Sequence, residues 1–377
     1  MSDRPSAAWD VLSYYFRKSQ PVSTGQLIEL IRRRDWEGAR HRAFTHPWDA
    51  QYRTCSESNS TPLHLVCLYR APCDVVQAVL DAHPEAIMAT DREGWTPLHV
   101  AFLYGANEQT SLLLIRRGGA TVASMQSRLV GSPLHVACRH GVSTRVLREL
   151  IKTNPSMVRI ANESGTKPAT LLWNEYAKNP ANENVLNSSG TIDTRDPGVA
   201  KFVERIRLLL NAATGQDTDS SQPILLHELV AFQFDLDLSQ VVPLAVRWYP
   251  DQISTRDNHG NLPLHIAAST PAQRKRQHMR FVVLDTVEVL VASYPAAASI
   301  SNQEGRLPLH LALACGRRTW NTGICTLVDA APQVLMTRDV RTHLYPVHLA
   351  AIHEADDDLE SLNTIYELLL AWPPALR

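Results

Sequence analysis

The 377 residues carry 37 Lys and Arg against 38 Asp and Glu, a formal net charge of −1, so no global field draws the chain to nucleic acid or to an anionic membrane. Six cysteines (Cys55, Cys67, Cys73, Cys138, Cys315, Cys325) form neither a CxxC pair nor a disulfide framework, which points to reduced thiols in an intracellular compartment. No apolar run reaches the ~20 residues of a membrane helix, since the best stretch, Phe281 to Tyr294, is broken by Asp285 and Glu288, and the start Met1-Ser2-Asp3-Arg4-Pro5 lacks the profile of a secretory signal.

Residues 1–23 hold Trp9, Tyr14, Tyr15 and Phe16 without a sustained period and read as a partly ordered arm. From Gln26 to Phe44, the apolar positions Leu27, Ile28, Leu30, Ile31, Trp36, Ala39 and Phe44 predict two short amphipathic helices. They flank Arg32-Arg33-Arg34-Asp35, whose cations suit a helix C-terminus. This pair is expected to act as an N-terminal cap, covering the outer apolar face of the next helices in the chain.

From residue 61 one pattern recurs: Thr61-Pro62-Leu63-His64, Thr96-Pro97-Leu98-His99, Ser132-Pro133-Leu134-His135, Leu262-Pro263-Leu264-His265, Leu307-Pro308-Leu309-His310 and Tyr345-Pro346-Val347-His348. Two copies are worn, Lys167-Pro168-Ala169-Thr170 without the histidine and Leu225-Leu226-His227 without the proline. Threonine or serine can cap a helix by accepting a backbone N–H, and proline fits the first helical position, where no N–H is missed. A helix therefore starts at each copy. Leu98 and Ala101 share one face of it, a large and a small residue that let neighbours approach closely. Upstream, Asp91-Arg92-Glu93-Gly94 reads as a turn.

A second marker is a residue followed by proline: His46-Pro47, His83-Pro84, Asn154-Pro155, Tyr249-Pro250, Tyr294-Pro295, Ala331-Pro332 and Trp372-Pro373. Such a pair stops a second helix and launches the next turn; one unit uses Gly118-Gly119 instead. Pro62, Pro97, Pro133 and Pro168 are 35, 36 and 35 residues apart, and the later steps, Pro263 to Pro308 to Pro346, are 45 and 38. Residues 176–200 are polar and rich in turn formers, an expected insertion between the helices of the worn repeat, after which Val203, Ile206, Leu209 and Leu210 resume the helical period. Residues 211–222 are similarly polar and read as a linker or loop. The expected organisation is thus an arm (1–23), a cap with the first repeats (24–210), that linker, and the remaining repeats (223–377).

The repeated Thr-Pro-Leu-His motif with alanine two residues on resembles the signature of ankyrin repeats, and the resemblance covers nearly the whole chain. It implies an all-α, ankyrin-type solenoid of about eight stacked helix-turn-helix pairs plus an N-terminal cap, with short β-turn tips along one edge. It implies a structural role for His64, His99, His135, His227, His265, His310 and His348, which bond the backbone of adjacent turns. One histidine per layer of ~10 Å leaves them too far apart to share a metal.

The resemblance also implies that partners are gripped by turn tips and by the outward side of the first helix. Carried over position by position, the tips are Arg92, Glu93 and Trp95, then Arg128, then Asn258, His259 and Asn261, then Gln303, Glu304 and Arg306. Helix positions include Leu103, Tyr104, Arg139 and His140. The expected partner face comprises Tyr69, Arg92, Glu93, Trp95, Leu103, Tyr104, Arg139 and His140, with its aromatics exposed and of the kind that dominates interface energetics.

No GxxxxGK[ST], GxGxxG or GxSxG motif is present, so no catalytic residue and no cofactor is assigned. His348, His353, Glu354 and Asp356–Asp358 are the densest ligand-like group, but histidines five apart do not share a helix face as a zinc pair does, and no metal is assigned. Arg274 to Arg280 is a short basic run, read as a solvated loop or else as a nuclear import signal or a phosphate-binding patch. The expected function is a non-catalytic scaffold for a protein or peptide, monomeric, cytoplasmic or nuclear, with no membrane or nucleic-acid partner. The alternative is the ankyrin arm of a larger catalytic, channel or nuclear regulatory protein.

Overall fold

The computed structural model describes residues 25–54, 58–178, 196–214, 225–233, 241–271, 285–316, 318–352 and 359–372. The expected N-terminal arm, the basic run at 274–280, the acidic run at 354–358, Cys55 and His353 lie outside them. Among the described residues the fold is all-α, and extended backbone pairs only in an isolated bridge between Ser127 and Gly131. The chain divides into two compact units, one of residues 1–178 and 201–218, the other of 179–200 and 219–377.

In the first unit the first helices of successive pairs are α1 (Gln26–Arg32), α3 (Pro62–Leu68), α5 (Pro97–Leu103), α7 (Pro133–Arg139) and α9 (Pro168–Lys178). The second helices are α2 (Trp36–Thr45), α4 (Cys73–Ala82), α6 (Glu108–Ser124), α8 (Thr144–Thr153) and α10 (Pro197–Thr214). First helices pack on first helices, α1 to α3 to α5 to α7 to α9, and second on second from α2 to α8, giving two layers. The second unit repeats the plan with first helices α11 (Leu225–Phe232), α13 (Pro263–Ser269), α15 (Pro308–Ala314) and α17 (Pro346–Ile352). Its second helices are α12 (Val242–Trp248), α14 (Thr286–Ser293), α16 (Cys325–Ala330) and α18 (Leu359–Ala371). The core lies between the layers, where Leu63, Leu98, Leu134, Leu264 and Leu309 of the motif are all buried beside the valines and leucines of the second helices.

The two sequence markers act as expected. Each motif proline opens its helix, and Thr96 Oγ1 accepts the N–H of His99 (3.4 Å), while second helices are capped by Asp35, Asn107, Ser143 and Asp285. Such caps contribute about 1 kcal/mol each. The residues before the stop prolines, His46, His83, Asn154, Tyr249, Tyr294 and Ala331, are helix C-caps, and each proline starts a one-turn 3-10 helix that leads into the next turn. Gly119 replaces that stop with a left-handed residue (φ 57°) that kinks α6.

Two expected boundaries shift. Helix α9 runs on to Lys178 and α10 begins at Pro197, so the ends of the stretch 176–200 are helical, and residues 179–195 lie outside the described ones. Aromatic packing extends α9: the Tyr176 and Phe202 rings stack at 4.2 Å, with Trp173 at 6.2 Å from both. Asp196-Pro197-Gly198 starts a helix rather than a loop, since the Asp196 carboxylate accepts the N–H groups of Gly198 and Val199 (2.8 and 3.2 Å). The expected linker also starts later, because α10 continues to Thr214 with Asn211 buried.

Between pairs the chain makes a short turn, here called a finger, held to the preceding pair by the motif histidine. In His64 the Nδ1 atom accepts the Thr61 N–H (3.3 Å) and lies 2.8 Å from its hydroxyl, leaving Nε2–H to donate to the Trp95 carbonyl of the next finger (2.9 Å). His99 reaches Gly131 O (3.0 Å) and His135 reaches Thr166 O (3.1 Å) in the same way. In the second unit His227 donates to Asn261 O (3.0 Å) and His310 to Thr337 O (3.2 Å). Successive fingers also touch directly, as where the Gln303 N–H donates to His259 O (3.3 Å). Gly260 (φ 73°) permits that approach, because a Cβ there would lie 2.8 Å from the Gln303 nitrogen.

Burial holds His64, His99 and His265 at a pKa of about 4, against an ordinary 6.5. The folded value is depressed, so below pH 6.5 the unfolded chain takes up protons that the native rings refuse. The associated stability is fully present above about 6.5 and is lost as pH falls toward 4. Asp91, raised to about 6 chiefly by burial, acts the other way over part of that range, but one carboxyl opposes several rings. Urea unfolding at pH 5 is expected to give a lower unfolding free energy than at pH 7, by about 1–2 kcal/mol per histidine; coincident curves would contradict the burial of neutral histidines beneath the fingers.

Candidate functional site

The candidate surface is built where the first helices of the first unit end. Helices α3, α5 and α7 stop at C-caps Tyr69, Tyr104 and His140, whose N–H groups donate to Leu65, Val100 and Val136 carbonyls (2.9, 3.0 and 2.9 Å). The next residue in each case turns left-handed: Arg70 (φ 57°), Gly105 (φ 67°) and Gly141 (φ 64°). Helix α1 ends similarly at Arg33 and Arg34. Because α1, α3, α5 and α7 pack side by side, these ends form one row.

Cations gather there for a physical reason. The last carbonyls of each helix lack intrahelical donors and carry partial negative charge, which favours guanidinium groups. Arg34 lies 5.8 Å from the centroid of the Tyr69 ring, a cation–π contact. The Nε–H of Arg70 donates to the Tyr104 carbonyl, one helix on. Arg205 of α10 donates to the carbonyls of Gly141 (2.9 Å) and Val142. The expected place of Arg32–Arg34 at a helix C-terminus is met by α1, where Arg33 also pairs with Glu29 (2.8 Å).

Of the eight residues expected on the partner face, Arg92, Glu93, Arg139 and His140 are exposed, and Tyr69, Leu103 and Tyr104 are half-buried. Burial raises the Tyr104 phenol to about 12, with the charge of Asp91 adding to the shift. Trp95 is the correction: it is 5% exposed and belongs to the core. Its backbone closes the finger, N–H donating to the Asp91 carboxylate (2.8 Å) and carbonyl accepting from Asp91 N–H and the His64 ring (3.0 and 2.9 Å).

The same position explains other tip assignments. Trp95, Asn261 and Arg306 each stand two residues before a motif proline, where the chain leaves the tip and enters the helix. Asn261 bonds the Asp257 carboxylate (3.1 Å) and the Asn302 side chain (2.9 Å), and Arg306 is buried on Asp339 (2.7 Å). Trp95 and Arg306 are thus buried, and Asn261 is half-buried. The tips proper, Arg92-Glu93, Arg128-Leu129, Asn258-His259 and Gln303-Glu304, are all exposed. Sequence reasoning missed Arg70, whose signal was its place just after a predicted helix end, and it put Arg34 at a helix C-terminus without including it in the partner face.

Six of the seven repeat histidines are buried, and His348 is exposed, its ring 6.1 Å from that of Tyr345. No described finger covers it. Among the described residues no group of three His, Cys, Asp or Glu is placed to hold a metal ion. Cys67 and Cys138 are free thiols in the core, with Cys138 pushed up to about 12 by burial, so neither is a ready nucleophile. No helix among the described residues is long and apolar enough to cross a membrane.

Residues 49–101 match the family model described as ankyrin repeats (many copies). No curated protein matches the chain. Among solved structures it is similar to the ankyrin repeat domain of Bcl-3, described as a unique member of the IkappaB protein family. That similarity has 16% identity and a TM-score of 0.40, over 82% of this chain and 99% of the other.

The burial of Trp95 sets a test. Trp95→Ala is expected to lower unfolding free energy by about 3–5 kcal/mol, as large aromatic truncations in cores do, whereas Arg92→Ala at the exposed tip should shift it by no more than about 0.5 kcal/mol. Denaturant titrations of the two variants compare them directly, and equal small effects would return Trp95 to the surface.

Proposed function

We propose that this ankyrin-repeat protein is a non-catalytic scaffold, gripping a protein or peptide partner along the finger tips and first-helix ends of its first unit. Ankyrin repeats generally serve as non-enzymatic interaction modules, and the row at the helix ends supports assigning that role to the first unit. The observation that carries the reading is the alignment of Tyr69, Tyr104 and His140 at three successive C-caps, with Arg70 and Arg139 beside them and Arg92 and Glu93 at the neighbouring tip.

The physics favours recognition. The backbone of this row is already hydrogen-bonded, so little ordering entropy is lost when a partner docks. Half-buried tyrosines offer an apolar ring and a polar edge, and tyrosine and arginine are the residue types over-represented among residues that dominate binding energy. Arg34, Arg70 and Arg139 are exposed, and no ion pair among the described residues engages them. The non-catalytic part of the reading is supported by the repeat histidines: His64, His99 and His135 spend both ring nitrogens on holding fingers.

The test is affinity capture with the intact chain, followed by mass spectrometry, in parallel with Arg92→Glu/Arg139→Glu. Both side chains are exposed, so the double variant is expected to keep its helicity and unfolding midpoint while its partner is depleted about 10-fold or more, the effect of about 1.4 kcal/mol. Undiminished recovery of the same partner by the folded variant would place the binding face elsewhere.

A further inference from the structure

The last described helix of the second unit, α18, has two unlike sides. Its inner side is anchored: Thr364 and Leu368 are buried, Thr364 Oγ1 accepts the Trp320 N–H (2.8 Å), and the Trp372 ring just past its end lies 4.9 Å from that of Tyr345. On the opposite side Leu359, Leu362, Tyr366 and Leu370 are 81%, 52%, 58% and 56% exposed. Spacings of three, four and four residues keep them on one stripe of the helix. A solvated helix face ordinarily carries polar residues, and a contiguous apolar stripe of this kind marks a surface that is covered in use.

Charge selects what covers it. Glu360 and Glu367 border the stripe on α18 itself, and the helix carries no lysine or arginine. We propose that this stripe docks an amphipathic helix of another protein whose apolar side is flanked by lysine and arginine. Partner side chains at i, i+3, i+4 and i+7 would interleave with Leu362, Tyr366 and Leu370, and its cations would meet the acidic border. A second copy fits less well, because two paired α18 stripes bring the like charges of Glu367 from both chains to one seam. An anionic lipid surface is disfavoured by the same acidic border. The inference concerns the second unit and stands apart from the interaction surface assigned to the first.

The experiment titrates the full chain into a fluorescent synthetic helix of about 18 residues, five turns, with leucines at i, i+3, i+4 and i+7 and lysines on both flanks. A matched peptide carries glutamate in place of lysine. The lysine peptide is expected to bind about 10-fold or more tighter than the glutamate peptide, with affinity falling as salt rises. Leu362→Asp/Tyr366→Asp should weaken the lysine peptide about 10-fold with unchanged helicity and unfolding midpoint, since both side chains are exposed. The added negative charge would by itself favour that peptide, so a loss isolates the apolar contact. Equal binding of the two peptides, or full binding by the double variant, overturns the proposal. So does sedimentation that shows a dimer of the parent chain lost in the double variant, because a second copy is then the occupant.

Discussion

The neutral imidazole of the repeat histidine is the interaction on which the rest of this structure depends. A finger is a single tight turn with no sheet to receive its inner carbonyl, and a buried carbonyl without a donor costs about 1–3 kcal/mol. The preceding repeat supplies that donor through the histidine Nε2–H, at Trp95, Gly131, Thr166, Asn261 and Thr337. At His64, His99, His135 and His265 the other nitrogen accepts the N–H of the residue that precedes the motif proline. Only the neutral ring can do both, so the depressed pKa is the electrostatic face of the same bond. One side chain thereby starts its own helix and fixes where the next turn lies.

Most of this was legible in the sequence because the markers act locally. Threonine or serine before proline, histidine three residues after the cap, and a second proline at the end of the pair each specify a backbone event that no neighbour can override, and helix starts and stops fall where these residues stand. Facing was harder to read. Trp95 sits next to a finger tip in sequence, and an aromatic there looks exposed, yet the residue two before the proline crosses back under the turn and is sealed by its neighbours. Arg306, at the same position, ends buried against Asp339 in the following finger, a partner 33 residues away. Boundaries near 176–200 escaped for a related reason: the stacking of Tyr176 on Phe202 joins residues across a polar stretch whose local composition signals only turns.

The helix ends show how a structural need also shapes a surface. Helices of seven residues, such as α3, α5 and α7, depend on the residues just past their ends to pair their last carbonyls, as Tyr69, Arg70 and Ala71 do for Leu65, Cys67 and Val66. The left-handed residue that follows each cap lets the chain double back, and an arginine can hold that conformation while its guanidinium reaches the next helix end, as Arg70 does at Tyr104. Where glycine takes the position, at Gly105 and Gly141, the guanidinium is supplied from elsewhere: Arg70 for the first, Arg205 for the second. The basic, aromatic character of the row thus arises from chain termination before any partner is considered.

A stack held by nearest neighbours uses up two faces of every repeat and leaves the others free. Along the axis each helix is covered by the next, so residues turned that way are drawn inward whatever their chemistry, as a tryptophan, an asparagine and an arginine are at one finger position. Side chains at tips and helix ends have no such neighbour, and composition there can change without disturbing the array. The last described helix is the exception, because it has the apolar pattern of an inner one and no successor among the described residues. Helix α18 is in that position: Thr364 and Leu368 are packed as the pattern demands, while Leu359, Leu362, Tyr366 and Leu370 present the same kind of surface to solvent. The repeat logic that buries interior faces therefore also accounts for the apolar stripe on the last described helix.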